Sequence, residues 1–237
     1  MKITDYTKLF WANRGNHNDF TSQKFLPEFT PGELRAAAEQ AVKNRARIGP
    51  AWRLLKELEE LHKPIFDPGF EPMMTSKNPP SGKDALEWSA NNLYSGVQLK
   101  DLEGFKEKYG LNSRLVKRNG KLVEEVYRAG TSDGKIPPGR YAAELSRAIR
   151  YLRMALPFAS ASQQKAINRL IRYYQTGSAS DWREFNIAWL ADNSRVDFTH
   201  GFIEVYKDVR GVKGAAQSYV TVIDEPMNKA MRGLAEN

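Results

Sequence analysis

The sequence predicts a mainly α protein with minor β, of the α+β class, in which a helical body carries two β-hairpins. Three observations lead to this. Apolar residues recur three and four apart over several segments bounded by capping residues, glycine or proline, the pattern of amphipathic helices. Asn119-Gly120 joins the alternating runs SRLVKR and KLVEEVYR, the strongest short-range hairpin signal. Residues 200–224, HGFIEVYKDVRGVKGAAQSYVTVID, consist of two apolar strands around a turn that carries Gly211 and Gly214. The expected order is helical 1–112, hairpin 113–128, helical 138–193 and hairpin 200–223, forming a single region with no firm internal boundary.

The elements follow in order. Residues 5–12 form a short apolar segment that breaks at the turn formers Asn13 to Asp19. The first full helix starts after Thr30-Pro31, where threonine caps, proline suits the first turn and Glu33 complements the helix dipole; it runs to about Arg47. A second follows Gly49-Pro50, with Trp52, Leu55, Leu58 and Leu61 or His62 at helical spacing, and stops before Pro64. Residues 65–83 carry four prolines and also Ile65, Phe66, Phe70, Met73 and Met74, which predicts an irregular strap across a core instead of a free linker. DALEWSANNLYSGV and DLEGFKEKYG are expected to be helical. Beyond the Asn119-Gly120 hairpin, a long helix spans about Arg140 to Pro157. Ser162 opens the next, which ends at Gly177, and Ser180 opens a third. These three pack as antiparallel neighbours, and Glu225 to Leu234 forms a terminal helix.

With 237 residues, 41% of them hydrophobic, the chain can bury a substantial core. The net charge of +8 permits nucleic-acid or anionic membrane binding. However, the basic residues alternate with acids along helices, the pattern of a solvated surface, so neither nucleic acid nor a membrane is an expected partner. No run is long enough to span a membrane, and there is no cysteine, which excludes disulfides and thiolate metal sites. The start MKITDYTKLFW lacks a signal-peptide core; a natural Met1 implies the cytoplasm, and a removed leader would allow the periplasm.

His17, His62 and His200 belong to no ligand motif, so each is expected in a polar loop or at a helix end, and no metal ligand is assigned. P-loop, dinucleotide-binding and nucleophile-elbow motifs are absent. The most informative feature is in the second hairpin. Period-two alternation puts Phe202, Glu204 and Tyr206 on one face and Ile203 and Val205 on the other. A glutamate in an apolar strand is either a satisfied structural carboxylate, the commoner case, or a group awaiting a cation.

GFIEVYKDVRG, with QSYVTVID downstream, resembles the GFIE-x-Y-x-D-x-x-G segment of the dipeptidyl peptidase III family, zinc metallopeptidases of family M49. LNSRLVKRNGKLVEEVYRAGTSDGKIPPGRY, IRYYQTGSASDW and LFWANRGNHNDFTSQKFLPEFTP are also similar to bacterial members, so the resemblance covers nearly the whole chain. It implies a section of the non-zinc lobe of a two-lobed enzyme, because the family's HExxGH zinc motif is not in this sequence. Zinc would then be a cofactor of the full-length enzyme, with none expected on this chain.

The resemblance assigns Glu204 to the free ammonium of a peptide substrate and Tyr206 to hydrogen-bonding the scissile carbonyl as it becomes an oxyanion. Gln217 stands where many members carry a second glutamate, and Gly201, Asp208 and Gly211 are motif positions that shape the turn. The implied function is the substrate-anchoring portion of a zinc-dependent dipeptidyl peptidase, inactive alone, whose partners are the peptide and the missing zinc lobe. The alternative is a stand-alone helical module that binds peptide or protein without catalysis.

Overall fold

The computed structural model describes residues 2–46 and 50–236, so the expected helix end at Arg47 and the break at Gly49 lie outside the described residues. The chain is mostly helical with small sheets, and it divides into two units: Met1–Asn92 with Gln98–Lys100, and Leu93–Val97 with Asp101–Asn237. Among the described residues no helix is long and apolar enough to cross a membrane.

The first unit begins with α1 (Ile3–Asn13), a helix where the sequence pattern suggests only a short apolar segment. Tertiary burial accounts for it: Tyr6 is buried edge-on against Phe25 and Phe29, both at 5.5 Å between ring centroids. α2 (Pro31–Lys43) has the full capping box, with Thr30 accepting from the Glu33 amide and Glu33 accepting from the Thr30 amide. α3 (Ala51–Phe66) passes through Pro64 instead of stopping before it. A proline so close to the helix end forfeits one intrahelical bond, and its own carbonyl is taken by Asn16 Nδ2 at 2.8 Å. The proline-rich stretch is strapped down by backbone hydrogen bonds, Lys24 to Pro72 and Met74 to Ser22 among them. Residues 84–92 are turns, not helix: the Asp84 carboxylate takes the Leu86 and Leu99 amides at 2.9 Å each.

In the second unit, β1 (Tyr94–Ser95) pairs in parallel with β2 (Ser113–Arg118), which pairs antiparallel with β3 (Lys121–Val126). The β2–β3 turn is Asn119-Gly120 with φ of 50° and 76°, the left-handed pair that a two-residue hairpin needs. Residues 101–110 contain no α-helix, because the Glu124 carboxylate draws the Lys108 and Tyr109 amides at 2.8 Å each.

Helices α4 (Ala142–Ala155), α5 (Ala161–Thr176) and α6 (Ala179–Leu190) form the body of this unit, with α5 packed on both others. The caps of α5 and α6 are Ser160 and Ser178, each two residues before the serine the pattern suggests. α5 ends at Gly177, where a Cβ would lie 2.7 Å from Val126 Cγ2 and 3.0 Å from Asn112 Nδ2. Against this body lies the second hairpin, β4 (Val196–Glu204) and β5 (Ala215–Val222), longer at its start than the sequence suggests. α7 (Glu225–Ala235) closes the chain, capped by Asp224.

Candidate functional site

β4 is held to the helical body along its length. Gln163 Nε2 donates to the Val196 carbonyl at 2.6 Å and Trp189 Nε1 donates to Asp197 at 2.8 Å. Tyr174 contacts His200 Nδ1, and burial lowers the pKa of His200 while raising that of the Tyr174 hydroxyl. A Cβ at Gly201 would fall 2.8 Å from the Trp182 ring, so only glycine lets the strand approach this closely. Phe202 is buried in the core beside Tyr127, 5.1 Å between centroids. The strand is therefore a rigid platform, the kind of element that fixes a site better than a loop does.

At its end the strand departs from simple alternation. Phe202 pairs with Ala216 and Glu204 with Ala215, which leaves Ile203 as a β-bulge. The bulge turns Glu204 out of the face of Phe202 and onto that of Ala215 and Gln217, in keeping with the burial of Phe202 and the exposure of Glu204. Tyr206 is not in the strand, which stops at Glu204; it sits in the following turn and is 51% exposed. The expected single face of Phe202, Glu204 and Tyr206 is thus replaced by an exposed carboxylate beside the half-buried Gln217, with an exposed phenol two residues on. Among the described residues neither Glu204 nor Tyr206 has a side-chain hydrogen bond or ion pair, and both side chains are exposed.

The turn itself is organised by Asp208, which is fully buried. Its carboxylate accepts from the amides of Arg210, Val212 and Lys213 at 3.1, 2.9 and 2.9 Å and from the Tyr94 hydroxyl at 3.0 Å. Burial first, and then the Asp208 charge, push the Tyr94 pKa upward, so the phenol remains a donor. Gly211, at φ 67°, bonds back to the Asp208 carbonyl at 3.0 Å.

Behind Asp208 lies a chain of ions that the sequence did not announce. Arg210 Nη1 reaches Glu107 at 2.6 Å and Tyr94 Oη at 3.2 Å. Lys213, also fully buried, contacts the other Glu107 oxygen and donates to Ser113 Oγ at 2.8 Å. Burial lowers the Lys213 pKa, and Glu107 opposes that shift. A lysine set between Val212 and Gly214 in the Gly211–Gly214 loop was the one available signal that this cation points inward.

The sequence profile of Peptidase family M49 matches residues 111–237, which include the whole hairpin and the frame residues Ser113, Asp208, Arg210 and Lys213. The chain belongs to peptidase family M49. Dipeptidyl peptidase 3 of Dictyostelium discoideum is 24% identical over 255 residues, covering 99% of this chain and 35% of that protein. Dipeptidyl peptidase 3 of Homo sapiens is 23% identical over 247 residues, covering 94% of this chain and 33% of its own length. The chain thus spans about a third of the length of the curated relatives it matches. Among solved structures, dipeptidyl-peptidase III from Corallococcus sp. strain EGB matches with a TM-score of 0.47 and 21% identity, over 58% of this chain and 26% of that one.

M49 peptidases are zinc-dependent. The residues of this chain do not fit such a centre: among the described residues no group of three or more His, Asp or Glu side chains is placed to hold a metal ion. His17 instead donates from Nε2 to the Glu71 carbonyl at 2.7 Å, and His200 is engaged with Tyr174.

Proposed function

We propose that this chain is a section of the non-zinc lobe of an M49 dipeptidyl peptidase of bacterial type, and that it anchors the substrate. In this reading Glu204 takes the free N-terminal ammonium of the peptide, which sets cleavage two residues from that end. Gln217, on the same sheet face, donates or accepts beside it without adding charge. Tyr206 donates its phenolic hydrogen bond to the scissile carbonyl as that oxygen gains negative charge. Two residues of extended peptide span about 6–7 Å, the separation between ammonium and scissile carbonyl that Glu204 and Tyr206 have to serve in this reading. Gly201, Asp208 and Gly211 keep the strand and turn in shape.

The observation that carries the reading is an exposed, unpartnered carboxylate at the end of a rigidly held strand, in the segment matched by the family. A carboxylate left free on a rigid element is pre-organised for a cation and loses little entropy on binding one. The zinc and its ligands belong to the remainder of the peptidase, so the chain alone is inactive.

Two experiments test this. Calorimetric titration with a tripeptide bearing a free N-terminus is expected to show binding that N-acetylation abolishes and that Glu204→Gln weakens about tenfold or more, the value of a charge-assisted bond. Equal affinity for free and acetylated peptide would refute the anchor. In a dipeptidyl-arylamide assay, zinc-dependent turnover by this chain would refute its inactivity.

A further inference from the structure

We propose that Asp208, backed by the Arg210–Glu107–Lys213 ion chain, is a positioning residue that holds Tyr206 at the site. This rests on the role given to Tyr206 above. Tyr206 makes no side-chain hydrogen bond, ion pair or ring contact among the described residues, so the polar bonds that hold its place are those of its backbone turn. That backbone is a turn closed by the Asp208 amide on the Val205 carbonyl at 3.0 Å, with Tyr206 inside it.

Asp208 therefore works from both ends. Its amide closes the turn on the N-terminal side, while its carboxylate gathers the Arg210, Val212 and Lys213 amides on the C-terminal side. The return to β5 is pinned again one residue later, by the Gly214 amide on the Leu111 carbonyl at 2.8 Å. A Cβ at Gly214 would meet the Phe202 backbone at 2.8 Å, so the end of the loop lies directly against the strand that presents Glu204.

A surface turn needs none of this to reverse direction. Surface loops normally leave their amides to water and their charges exposed. Here a fully buried carboxylate and a fully buried ammonium are spent on one loop of about ten residues, and burying ions without an over-riding need for geometry is unfavourable. Tyr206 lies inside the turn that this frame closes.

The test uses the full chain and three variants. Asp208→Asn keeps the shape but turns an amide group toward three backbone donors. Tyr94→Phe removes one donor to Asp208 and is the milder second variant should Asp208→Asn fail to fold. Tyr206→Phe supplies the background for a double-mutant cycle. Amide hydrogen exchange over residues 205–214 is expected to speed up about tenfold in Asp208→Asn and less in Tyr94→Phe, with α5 unchanged. Affinity for the free-amine tripeptide is expected to fall about threefold in Asp208→Asn, the share of one neutral hydrogen bond, and to stay unchanged when Tyr206 is already Phe.

Equal losses in both backgrounds, or a loop that loosens with no change in affinity, would overturn the positioning role and leave the Glu204 anchor standing. If Glu204→Gln binds normally while Asp208→Asn still acts through Tyr206, the anchor falls and the positioning role stands. A wild-type chain that binds no peptide overturns both.

Discussion

Gln217→Glu is the substitution whose outcome the hairpin geometry predicts most specifically. Glu204 pairs with Ala215, and Gln217 is two residues further along β5 on the same face, a diagonal neighbour. That register puts an ammonium bound to Glu204 on the order of 6 Å from a new carboxylate at position 217. Coulomb attraction at that distance is about 0.7 kcal/mol at the dielectric of water and about 2.8 kcal/mol at an effective value of 20. Glu204 is exposed and Gln217 half-buried, so the gain belongs in the lower part of that range, roughly three- to tenfold in affinity. Repulsion between the two carboxylates costs a few tenths of a kcal/mol of stability in the free protein. Titration with a free-amine tripeptide at about 0.01 M and about 1 M salt checks both parts, because the gain is expected to shrink as the Debye length falls from roughly 30 to 3 Å. An unchanged affinity, or the same gain with an acetylated peptide, would refute the placement of the ammonium beside this face.

Other outcomes follow from the same structure. Gly177→Ala forces a left-handed alanine into Val126 and Asn112, and is expected to cost about 2–5 kcal/mol and to lower Tm by about 5–15 °C in a thermal melt. Burial lowers the His200 pKa, so the folded chain favours the neutral ring. Its stability is complete above the ordinary histidine value of about 6.5 and is lost as pH falls through that value toward the folded pKa. Urea midpoints at pH 7.5 and 5.5, each on the order of one pH unit from that value, are expected to differ more in wild type than in His200→Gln.

The sequence revealed those features whose cause is local. The Thr30 capping box, the Asn119-Gly120 turn and the Gly177 helix end depend on a few consecutive residues, and each is where the pattern suggests. The α5 and α6 caps slipped by two because serines stand two apart in each case, and periodicity cannot say which has extended backbone; Ser160 and Ser178 do. Residues 84–97 have helical spacing but are not helical, since Tyr94 and Ser95 pair with Leu115 and Val116, a partnership set by distant sequence.

In the candidate site, Glu204 and Tyr206 stand out in the sequence pattern and Gln217 only through the family resemblance, while their arrangement is not legible there. A bulge at Ile203 leaves no mark in a two-residue period, yet it exchanges which neighbour shares a face with Glu204. The buried frame was hidden for another reason: Asp, Glu, Lys and Arg are read as solvent-facing by default. Asp208 and Lys213 are inside only because Tyr94, Glu107 and Ser113, about a hundred residues earlier, supply their partners.

In the proposed function the Glu204 carboxylate receives the peptide ammonium. The most direct measurement is the side-chain carboxyl 13C resonance of Glu204, assigned by its loss in Glu204→Gln, during titration with a free-amine tripeptide and with its acetylated form. A saturable shift is expected with the free amine and none with the acetylated peptide. A resonance that stays fixed with both, or moves equally with both, would contradict this role.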